Sequence, residues 1–116
     1  MKMVRYAYRI FRDYPYSDKK DTHYIPREFK SLKDARYDAN TFVRLRGFHD
    51  LGKSTTKGTV WAEIYRLPLT PGKKAVPTQY VFYDPRNGKC YVGGKTGKGF
   101  MRNRYINPNG TLGETM

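Results

Sequence analysis

Between Arg86 and Arg104 the chain carries six basic residues, Arg86, Lys89, Lys95, Lys98, Arg102 and Arg104, and no acidic one. Tyr80 and Phe82 lie just ahead of this run and Tyr91 lies inside it. Cationic side chains neutralise phosphates and aromatic faces stack on unpaired bases, so the chemistry written here is non-covalent binding of DNA or RNA with little sequence discrimination. Gly93, Gly94, Gly97 and Gly99 are interspersed. Backbone amides of such a turn can cup an anion.

Residues that could make or break bonds are weaker signals. Gly47-Phe48-His49-Asp50-Leu51-Gly52-Lys53-Ser54 matches the phosphate-loop pattern letter for letter. That motif works with a strand before it and a helix after it, whereas here a helical pattern precedes and a β-run follows. His23 near Asp21 is a loop neighbour rather than a catalytic pair. The single cysteine, Cys90, forms no intrachain disulfide, and with His23 and His49 it is too little for a structural zinc site. No catalytic residue, metal site or cofactor is therefore assigned.

The elements that must position these residues start with a hairpin. Asp84-Pro85-Arg86-Asn87-Gly88-Lys89 is turn chemistry between two β-forming runs. For a two-residue or a four-residue loop alike, Tyr80, Phe82 and Asp84 share one face with Lys89 and Tyr91, and Val81, Tyr83, Cys90 and Val92 take the other, buried face. Pro85 favours the longer loop. Val4 to Phe11 alternates as a first strand, with Val4, Tyr6, Tyr8 and Ile10 opposite Arg5, Ala7 and Arg9. Arg5 and Arg9, facing solvent, would together with Arg12 continue a basic surface across the sheet.

Residues 13–30 read as a loop excursion. Ser31 opens a helix with an apolar stripe of Leu32, Ala35, Ala39, Phe42 and Val43, an outer side of Lys33, Arg36, Arg44 and Arg46, and a stop at Gly47. Thr59 to Leu67 is the next strand, its smaller residues Val60, Ala62 and Ile64 toward the helix and Trp61 competing for burial. The fold expected is α+β: a small, mainly antiparallel sheet in the order β-α-β-β-β with one helix packed on one face. Residues 1–93 form the domain, and 94–116 form a basic, Gly/Asn-rich C-terminal segment with one short helical turn around Phe100 to Arg104 and a loose tail.

Tyr80, then Tyr91-Val92-Gly93, then Arg102 resemble the paired-strand signature and downstream arginine of the GIY-YIG endonucleases, over residues 78–102. The step of eleven positions between the tyrosines fits that family. Thr78-Gln79-Tyr80 keeps only the tyrosine of the first triplet, and Glu114, the only acid after Asp84, stands where no metal-binding helical glutamate is expected. The resemblance implies a degenerate or minimal nuclease.

Composition bounds the rest. Twenty-three Lys and Arg against ten Asp and Glu give a net charge of +13, spread over both halves of the 116 residues. Such self-repulsion argues for a polyanionic partner. Eleven tyrosines make the apolar material largely amphipathic ring. No stretch approaches the length of a membrane span and no secretory leader is visible, so a soluble cytoplasmic protein is expected. The leading expectation is a non-enzymatic nucleic-acid-binding protein. Its alternative is an inhibitor or accessory factor, of mobile-element or phage type, that docks the same basic aromatic surface on an acidic protein. Oligomeric state is not legible.

Overall fold

The computed structural model describes residues 4–14, 20–24, 27–96, 99–100 and 103–115. One helix, α1 (Leu32–Asp50), lies on one face of a seven-stranded sheet. Its strands are β1 (Arg5–Asp13), β2 (Lys20–Tyr24), β3 (Thr59–Leu67), β4 (Gln79–Asp84), β5 (Lys89–Gly93), β8 (Arg104–Ile106) and β9 (Leu112–Thr115), in the spatial order β2-β1-β3-β4-β5-β8-β9. All neighbouring pairs are antiparallel. Two short strands, β6 (Lys95–Thr96) and β7 (Gly99–Phe100), pair separately. The α+β class, the single helix and the antiparallel sheet are those expected from the sequence. No helix among the described residues is long and apolar enough to cross a membrane.

Period-two alternation sorts the strands. Tyr8, Ile10, Val60, Ala62, Ile64, Val81, Tyr83, Cys90, Val92 and Ile106 form the core with Ala35, Ala39 and Val43 of α1. The four-residue turn 85–88 sets Asp84 opposite Lys89, so the longer loop that Pro85 favours is the one formed.

Three local expectations change. The 13–30 excursion folds back, and β2 pairs with β1 from Arg9↔Tyr24 to Asp13↔Lys20. Its backbone thereby satisfies an edge that β3 leaves open on the other side. The expected tail is a second hairpin: Asn107 N–H donates to the Thr111 carbonyl at 2.8 Å, Gly110 N–H to the Asn107 carbonyl at 2.9 Å, and β8 and β9 extend the sheet beyond β5. Of the helical turn expected around Phe100 to Arg104, Phe100 ends β7 and Arg104 begins β8, and residues 101 and 102 lie outside the described residues.

The helix begins as expected, with Asp34 N–H donating to Ser31 Oγ at 3.1 Å, but it passes through Gly47. It ends where Gly52, at φ +56°, gives its N–H to the Gly47 and Phe48 carbonyls. Gly47 serves packing instead: a Cβ there would sit 2.2 Å from the ring of Tyr83, which is buried and donates its hydroxyl to the Gly52 carbonyl at 2.8 Å. Overpacking of this kind costs about 1 to 3 kcal/mol, against the gain of about 1 kcal/mol that Ala brings over Gly in an open helix. Gly47→Ala is expected to lower the urea midpoint of unfolding. A midpoint at or above that of the parent protein would refute this role.

Candidate nucleic-acid interface

The sheet face away from α1 is built by the residues between the core positions. Cross-strand register places Phe11 opposite Trp61, Trp61 opposite Phe82, Phe82 opposite Tyr91 and Tyr91 opposite Tyr105. One aromatic residue from each of β1, β3, β4, β5 and β8 thus forms a row, spanning about 19 Å at ordinary strand spacing. Phe11 and Trp61 stack with centroids 5.4 Å apart, and Phe82 stacks on Tyr91 at 5.5 Å. Tyr105 meets Tyr91 edge-on at 6.4 Å. In the next row Tyr80 stacks on Phe82 at 5.9 Å and stands opposite Glu63 and Gly93. All six rings are partly exposed.

Tyr80, Phe82 and Tyr91 therefore occupy the face expected of them. Phe11, Trp61 and Tyr105 join them without having been singled out. Their signal was the same alternation, extended across strands once the order β1-β3-β4-β5-β8 is known.

The cations sort differently from their linear density. Lys89 is exposed at the end of the face, its Nζ 5.7 Å from the Tyr105 ring centroid. Arg86 is tied to Asp84 by its Nε at 3.1 Å, its Nη2 at 3.2 Å and its backbone N–H at 3.0 Å. Arg104 stands opposite Val92, on the helix side of the sheet, and donates to the carbonyls of Gly113 at 2.8 Å and Leu112 at 3.3 Å. It holds the C-terminal hairpin and is not part of the aromatic face. Lys95 places its backbone in β6, and its side chain lies outside the described residues, as do Lys98 and Arg102 entirely. The described cations on the aromatic face are Arg86, over Asp84, and Lys89, with Arg5 and Arg9 of β1, whereas Arg12 turns to the helix side and pairs with Asp50 at 3.2 Å. Arg9 lies 5.6 Å from the Tyr65 ring centroid, and Arg5 pairs with Glu28 at 2.9 Å.

Arg36 and Asp84 also correct their expectations. Arg36, read as an outer helix residue, is half-buried and donates to Gln79 Oε1 and the Gly110 carbonyl, both at 3.0 Å, joining α1 to β4 and to the second hairpin turn. Burial, then the nearby Arg104, lowers its pKa. Asp84, read as exposed, is 3% accessible because Arg86 and Tyr105 cover it. Burial alone would raise its carboxyl pKa, but hydrogen bonds from the Arg86 side chain and backbone and from Tyr105 outweigh that and leave it lowered.

Tyrosine chemistry on the face is that of neutral donors. Burial, then Glu63, raises the Tyr80 pKa; burial, then Asp84, raises that of Tyr91. Cys90 is buried, its thiol pushed up to about 12 by desolvation, which suits a core residue. Among the described residues no group of three or more His, Cys, Asp or Glu converges. The two tyrosines that carry the nuclease resemblance share the aromatic face, and Glu114 lies in β9.

A second exposed surface escaped the sequence reading. Tyr37, Leu45 and Phe48 are 50%, 61% and 76% accessible along the outward side of α1, where they line an open groove of about 400 Å³ together with Gly88 and Pro108. Phe42, placed in the apolar stripe, is also exposed, and Asn40 takes the buried position instead. No family model, curated protein or solved structure matches this chain.

Because the Asp84 pKa is lowered in the folded protein, its contribution to stability is present above the unfolded value of about 3.9 and disappears as pH falls through the folded value. Asp84→Asn should lower the urea midpoint at neutral pH, with the gap to the parent protein closing as pH falls from about 5 to about 2. A gap independent of pH would mean that the ionised carboxylate is not what the turn relies on.

Proposed function

We propose that this protein binds single-stranded nucleic acid, DNA or RNA, on the open face of its sheet, without covalent chemistry. The observation that carries this reading is the register-matched row Phe11, Trp61, Phe82, Tyr91 and Tyr105 on five adjoining strands, flanked by Arg5, Arg9, Arg86 and Lys89. Sheet-borne rings that stack splayed bases are a recurring mode of single-strand recognition, and every base offers a ring face whatever its identity. The net charge of +13 supplies long-range attraction to the phosphate backbone.

The described cations on this face number four, Arg5, Arg9, Arg86 and Lys89. If these four neutralise phosphates, the log-log salt slope on a single strand is about −3. In anisotropy titrations with labelled dT12 and rU12, Trp61→Ala and Phe82→Ala should each weaken binding by about 5-fold to 100-fold. Unchanged affinity in both variants, or tighter binding to duplex than to either single strand, would overturn the proposal.

The outward stripe of α1 favours a second reading, docking on another protein. Exposed apolar side chains grouped on one helix face mark interaction surfaces, and Arg44 among them suits an acidic partner. Capture of a defined protein from nuclease-treated lysate, lost in Leu45→Ser/Phe48→Ser, is the expected result. Equal capture by the double variant would remove α1 from consideration.

A further inference from the structure

One carboxylate stands in the middle of the aromatic face. Glu63 lies in β3 two positions from Trp61, opposite Arg9 on one side and Tyr80 on the other, and is partly exposed. Trp61 Nε1 donates to its Oε2 at 3.1 Å, and the Tyr65 hydroxyl donates to its Oε1. Tyr65 is buried, and burial followed by the hydrogen bond to Glu63 raises its pKa, so that hydroxyl stays a donor. One donor on each oxygen fixes the carboxylate's orientation, and a carboxylate has about four acceptor positions, so each oxygen keeps acceptor capacity.

A negative group at this place opposes phosphate. What it can attract is an uncharged donor arriving with a stacked base. Among the unpaired bases, adenine and cytosine offer an amino group beside a ring acceptor, and thymine or uracil an N–H between two carbonyls. Guanine alone sets two donors side by side, N1–H and the 2-amino group, matching the two oxygens of a carboxylate. We propose that Glu63 reads guanine, taking both donors while a neighbouring ring of the face stacks on the base. This rests on the single-strand reading above and gives an otherwise indiscriminate surface a base preference.

The probes are dT12 and rU12 with the central base replaced in turn by guanine, adenine, cytosine or hypoxanthine, titrated against the parent protein and Glu63→Gln. A bidentate contact predicts guanine at least about 5-fold tighter than adenine or cytosine. Hypoxanthine, which lacks the 2-amino group, should lose most of that gain. Glu63→Gln should lose the guanine preference while binding unsubstituted dT12 as tightly as the parent or more tightly, which also shows that it folds. If the parent binds all four substituted oligomers equally, the guanine assignment fails and the platform stands. If the preference survives in Glu63→Gln, another residue reads the base. No binding to any oligomer would overturn the platform and this inference together.

Discussion

One helix can cover one face of a sheet, and the described residues form one helix for a seven-stranded sheet. The 19 residues of α1 pack on β1, β3, β4 and β5 and roof the central strands of one face. The other face has no helix over it among the described elements, only Gly94 against the rings of Tyr80 and Phe82, and must reconcile packing with water. Mostly aliphatic residues, with Tyr8 and Tyr83, at the roofed positions and tyrosine, tryptophan and phenylalanine at the alternate ones resolve the conflict, because rings bury area against one another while hydroxyl and indole groups keep polar partners. Glu63 accepting from Trp61 and Tyr65, and Asp84 accepting from Tyr105, are instances of that compromise.

Much of this was legible in the amino-acid order. Alternation assigned the faces of β1, β3, β4 and β5 correctly, and Asp84 to Lys89 announced its turn. The second hairpin was equally announced: Asn107-Pro108-Asn109-Gly110 has the same turn chemistry, but its flanking strands of three and four residues are too short to show a period. Strand order was the larger gap, since β1 meets β3 across forty-five residues or more and no local pattern states that Phe11 will face Trp61.

Charge misled for a related reason. A run of arginines and lysines says how many cations a segment holds, not where their guanidinium groups end. Arg86 closes over a buried aspartate, Arg104 ties two short strands together, and Arg36 bridges three elements. Each answers a structural demand for donors that a linear count does not reveal.

The chain's only tryptophan sits in β3, the second strand of the aromatic row, stacked on Phe11 and hydrogen-bonded to Glu63. Indole emission depends on stacking and on nearby charge, so the molecule carries its own optical reporter at the place where recognition is proposed. Occupancy of that face can be followed on unlabelled protein, and a bystander event on the helix side should leave the signal where it was.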